Sequence, residues 1–207
     1  MEPILAFSYS AVYDRILYFF AHDQEPGREY EEQRERESME AAQRLRPLVQ
    51  EALPAFCKQI SELLGIPWWM NRVTALIIPS WPKPTPITAI SSPLTIILHR
   101  WKKGELTPVP DEDIIYTLKH EYCHIIQGRV GREYQDHLKN ERNIAAYSTR
   151  THILTFALLK KLLPEKEYYA RHDHYKNDIY RRAFEFVEEY GADEVIAEAR
   201  TFAAKNA

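Results

Sequence analysis

The stretch His120-Glu121-Tyr122-Cys123-His124 carries the residue types and spacing that could do chemistry. It reads H-E-x-x-H. On a helix, residues four apart lie about 40° apart around the axis. Two imidazoles so placed can hold one zinc ion, and the adjoining glutamate can act on a water held by that metal. The chemistry implied is metal-assisted hydrolysis of a peptide bond. Zinc lowers the pKa of water and polarises the carbonyl, while Glu121 serves as general base and passes the proton to the leaving amine. A catalytic zinc takes three protein ligands and keeps one open position. His120 and His124 supply two. Downstream candidates for the third are Glu133, Asp136, His137 and Glu141.

The surrounding elements must position these groups. Val73 to Ile78 is a short β-branched run and reads as a strand, as does Leu94 to Trp101. Ile87 to Ile90 offers a third strand. The proline-rich segment from Pro79 to Pro93 reads as an extended surface loop. Asp111 or Asp113 can cap a helix carrying the motif, and Gly128 is a natural stop. Ile114, Ile115, Leu118, Tyr122, Ile125 and Ile126 give that helix a broad apolar surface. Tyr134 to Leu163 reads as one longer helix ending at Pro164, with His137, Glu141, Ala145, Ser148 and His152 on one face. The motif helix, a turn at Gly131 and a returning helix would bring Glu141 back towards the metal, so Glu141 is the preferred third ligand.

The extended pattern H-E-x-x-H-x-x-G-x-x-H fails, because Gln127 stands at the glycine position and Val130 at the third histidine. That argues against the metzincin class. The order strand, H-E-x-x-H helix and second helix with Asn140-Glu141 followed by Ala145 and Ala146 resembles the gluzincin metallopeptidases, over roughly Leu94 to Ala157. The compact length resembles the small, minigluzincin-like members. The resemblance implies His120, His124 and Glu141 as zinc ligands and Glu121 as general base. It also implies an edge strand, Leu94 to Trp101, that holds an extended peptide by main-chain bonds. Larger gluzincins often place an aspartate four residues after the glutamate ligand. Here that position is Ala145, so the groups orienting the histidines must come from elsewhere, Asp136 or a backbone carbonyl being candidates. Tyr147 and His152 are candidates for a transition-state stabiliser.

The flanking sequence sets the rest of the expectation. Ile4 to Ala21 reads as an apolar, aromatic helix with Asp14 and Arg15 on its wetter side. Arg28 to Arg46 alternates opposite charges at four-residue spacing and reads as an exposed helix. A new helix begins near Pro47 and ends at Gly65 and Pro67. Two helices follow near Asp178 to Tyr190 and Ala192 to Ala203. The expected fold class is α+β and predominantly helical, with a small mixed sheet of two to four strands on the motif helix and a glutamate-bearing helix, a zincin-like layout. Residues 1–64 form an N-terminal helical region that could shield the cleft and make the protein latent, and residues 65–207 form the core with C-terminal helices, the alternative being one compact domain over 1–207. The net charge of −3 gives no basic stripe for nucleic acid. Met1 to Phe20 lacks a basic start and carries charges, so it reads as neither signal peptide nor membrane span. With two cysteines, Cys57 and Cys123, no disulfide framework is legible, and a cytoplasmic location is expected. The function expected is a zinc-dependent peptidase with one Zn2+ and a peptide or protein substrate. The alternative is a catalytically silent or regulatory zincin-fold protein that binds a partner.

Overall fold

The computed structural model describes residues 4–82, 89–91, 93–172 and 178–205. It is of the α+β class and mostly helical. Two compact units are drawn from interleaved segments. One comprises residues 3–54 and 70–121, the other residues 1–2, 55–69 and 122–207.

The first unit holds the strands. Ile4–Ser8 is strand β1, not the start of a helix, and helix α1 spans only Ala11–His22. Ser10 caps α1, its side chain accepting from the Tyr13 amide. The expected continuous helix fails because β1 pairs in parallel with β2 (Arg72–Ile78), Ile4 opposite Arg72, a partner distant in sequence. β3 (Ala89–Ser91) and β4 (Leu94–Ile97) complete a mixed sheet in the order β1-β2-β4-β3. Ile87 lies outside the described residues. All four residues of β4 are buried, as befits an interior strand covered on both faces. β4 is thus no free edge for a peptide, contrary to expectation. The expected strand to Trp101 breaks at Leu98, whose amide reaches the Ile78 and Pro79 carbonyls. The chain then enters a separate hairpin, β5 (His99–Lys102) and β6 (Glu105–Pro108). Its two turn residues, Lys103 and Gly104, both have positive φ, 52° and 85°, as a tight two-residue hairpin turn requires.

Helix α2 runs unbroken over Arg28–Leu64, through Pro47 and Pro54. A helix-interior proline costs roughly 3 kcal/mol. The buried stripe Ala41, Leu45, Val49, Leu53, Phe56, Ile60 and Leu64 continues across both prolines, and its burial outweighs that cost. Asp14 does not sit on a wet face. It is 3% exposed and receives both Nε and Nη2 of Arg34, at 2.5 and 2.7 Å. Of the expected surface pairs Arg28–Glu32 forms, at 2.7 Å, while Arg44 reaches Asp111 at 3.0 Å.

Helix α3 spans Asp111–Val130, with three acids in its first turn favouring the positive end of its dipole. It passes Gly128 and stops at Gly131, whose φ of 92° few other residues tolerate. In the second unit follow α4 (Arg132–Asn140), α5 (Tyr147–Leu162), α6 (Glu165–His172), α7 (Asp178–Tyr190) and α8 (Ala192–Lys205). α5 packs against α4, α6, α7 and α8. It is buried nearly all round from Thr149 to Leu159, the signature of a core helix. The single helix expected over Tyr134 to Leu163 is therefore two. Residues 141–146 form a connection with Asn143 at φ 57°. Arg150 holds it, Nη1 donating to the Ile144 and Ala145 carbonyls at 2.8 and 2.6 Å. Among the described residues no helix is long and apolar enough to cross a membrane.

Candidate metal centre

Helix α3 is continuous through the motif, so His120 and His124 lie one turn apart on one face, both half-buried. His152, from the middle of α5, is the third member of the group. One potential ligand atom from each of the three lies within 4.8 Å of the others. His124 and His152 belong to the same unit, and their rings meet edge to face at 4.7 Å between centroids. Helix geometry then fixes His120 relative to His124.

Hydrogen bonds orient two of the rings. His152 Nδ1 lies 2.6 Å from the Ser148 carbonyl oxygen, which only accepts, so Nδ1 carries the hydrogen and Nε2 keeps its lone pair. The Thr155 hydroxyl donates to the Thr151 carbonyl at 3.3 Å, accepts from Gln127 Nε2 at 2.7 Å, and stands 3.4 Å from His124 Nδ1. With its own hydrogen so used, the Thr155 hydroxyl is able to accept from His124 Nδ1, an arrangement that keeps the Nε2 lone pair of His124 for a metal. Gln127 also donates to the Thr151 carbonyl at 2.6 Å, tying α3 to α5. Metal-binding histidines are commonly oriented through their second nitrogen in this way. A backbone carbonyl and a hydroxyl supply the role left open by Ala145, and Asp136 is exposed. Burial, then the neighbouring His152, pushes the His124 imidazole down to about 3. Burial also lowers His152, against the raising effect of the Ser148 carbonyl. Both rings are neutral near pH 7, the form that binds a metal.

The other expected site residues fall as follows. Glu121, next to His120 on α3, is 7% exposed. Glu141 is the C-cap of α4 and exposed, and it is not a member of the three-histidine group. The expected turn at Gly131 and returning helix α4 are present, but they leave Glu141 exposed at the helix end and outside that group. Glu133 is exposed, and His137 meets Glu198 at 2.7 Å. Tyr147 is 67% exposed, its ring facing the Arg150 guanidinium at 5.6 Å. His152, taken from sequence as a stabiliser, joins instead the group of histidines close enough together to hold a metal ion. The available signal was its place at the head of the apolar run Ile153 to Leu159, where a histidine needs a reason to be buried.

Three imidazoles form a donor set suited to zinc, copper, iron or nickel, and less to magnesium or calcium. Three protein ligands also leave a position open for a reacting group. No family model matches the chain, and neither a curated protein nor a solved structure matches it.

Proposed function

We propose that the protein is a zinc-dependent peptidase whose ligands are His120, His124 and His152, with Glu121 as general base. The observation that carries this reading is the convergence of three histidine donors within 4.8 Å, two of them flanking a buried glutamate in H-E-x-x-H spacing. A small mixed sheet and a motif helix running into a helical unit support a zincin-like core, with His152 taking the place that a gluzincin-like arrangement gives to Glu141. Zinc, when bound, supplies a Lewis acid and a nucleophile generated from water near neutral pH. The protein's own groups do the rest. The Ser148 carbonyl and the Thr155 hydroxyl fix the tautomers of His152 and His124. The Glu121 carboxylate takes a proton from the attacking water and delivers it to the amine nitrogen as the peptide bond breaks.

The test compares wild type with Glu121→Gln on a broad peptide library, with bound metal measured in both. Zinc in both proteins, with cleavage by wild type alone, is the expected result. Zinc in both with cleavage by neither replaces the peptidase with a metal-organised binding protein. Equal cleavage by both removes Glu121 from the mechanism.

A further inference from the structure

The sheet-bearing unit contains a pocket of about 510 Å³ that takes no part in the metal centre. Its walls carry Tyr18 from α1, Tyr30 from α2, Trp81 after β2 and Trp101 from β5, together with the imidazoles of His22, which packs on Tyr18, and His99, whose Nδ1 lies 3.2 Å from the Pro79 carbonyl oxygen. The rings are held in place. Trp101 Nε1 donates to the Trp81 carbonyl at 3.0 Å, and the Tyr18 and Tyr30 rings lie 4.7 Å apart. Beneath Tyr30, at 5.0 Å from its centroid, lies the Arg34 guanidinium. That cation is neutralised within the protein, since it forks onto Asp14 and donates to the Ser80 carbonyl at 2.7 Å.

Glu37, also on the wall, is different. Its carboxylate accepts from Gln33 Nε2 at 2.8 Å, a neutral amide that leaves the negative charge in place. Aromatic faces are negative by their quadrupoles. The pocket is therefore lined by aromatic rings, Trp101 and Tyr18 the more accessible and Trp81 largely packed on Ile78 and Ile97, together with one carboxylate, while its one arginine is already paired. A neutral sugar or a proline-rich segment would use the rings and leave the charge unanswered. A cation with an apolar shell uses both, and aromatic cages recognise quaternary ammonium groups for this reason.

We propose that this pocket binds an organic cation of the alkylammonium type. The proposal stands apart from the metal reading, because the lining residues include none of the three histidines. The experiment is calorimetric titration of the full chain with choline and with its neutral isostere 3,3-dimethylbutan-1-ol. The expected result is saturable choline binding, with the isostere weaker by about tenfold, the range of a partly desolvated cation–π site. Glu37→Gln should weaken choline severalfold. Trp101→Leu should do the same, and Glu37→Gln, a half-buried side chain replaced by its isostere, keeps the test open if the tryptophan variant misfolds. Equal binding of isostere and choline, absence of saturable choline binding to wild type, or choline affinity unchanged in Glu37→Gln would each overturn the proposal.

Discussion

Replacing His152 with glutamine separates the two possible third ligands. In the structure His152 belongs to the group of donors within 4.8 Å, whereas Glu141 is exposed at the end of α4. Zinc bound by four protein ligands is worth roughly 10–16 kcal/mol near pH 7, or about 2.5–4 kcal/mol per ligand if shared equally. Loss of one of three histidines should then weaken zinc by about 10²- to 10³-fold, at 1.36 kcal/mol per decade. Glu141→Gln alters an exposed carboxylate and should change zinc affinity by no more than about twofold, the equivalent of 0.5 kcal/mol.

Competition with a chromophoric chelator measures both variants directly. The buried His152 ring also touches Phe156 and Tyr180, at 5.7 and 4.4 Å between centroids, so the variant loses packing as well. Urea unfolding of the metal-free proteins isolates that loss, which should be about 1–3 kcal/mol. A folded His152→Gln protein with wild-type zinc affinity would refute the ligand assignment. A large loss in Glu141→Gln would restore the glutamate.

Thr155→Val removes the hydroxyl beside His124 Nδ1 and should weaken zinc by about 10- to 100-fold, while Thr155→Ser retains most of the affinity; the same competition assay reads both. Asp14→Asn leaves Arg34 buried with its opposite charge removed. Urea denaturation should show a loss of about 3–5 kcal/mol. A third expectation concerns pH. Folded His124 takes a proton only near pH 3, against an ordinary value of 6.5. Between those values the unfolded chain binds more protons than the folded one, so stability is full above about 6.5 and falls as pH drops towards 3. Thermal melts of the metal-free protein across that window should show the decline, and His124→Gln should flatten it.

The sequence by itself determined the features governed by local chemistry. H-E-x-x-H inside a helical periodicity placed His120, Glu121 and His124 together, because four residues make just over one turn. The β-branched run of β2 and the helices α7 and α8 were legible for the same kind of reason, one strand-like and two separated by Gly191. Only tertiary structure decided the rest. β1 is a strand because β2 lies beside it, and no pattern within Ile4 to Ser8 announces that partner. Residues 141–146 contain neither glycine nor proline, yet the helix breaks there, with Arg150 reaching back to two of their carbonyls. Arg34 lies in a run of surface-type charges but is buried on Asp14, twenty residues earlier. His152 joins the histidine pair for a similar reason. The packing of α5 among four other helices sets its position, and a spacing of twenty-eight residues from His124 carries no periodic signal for it.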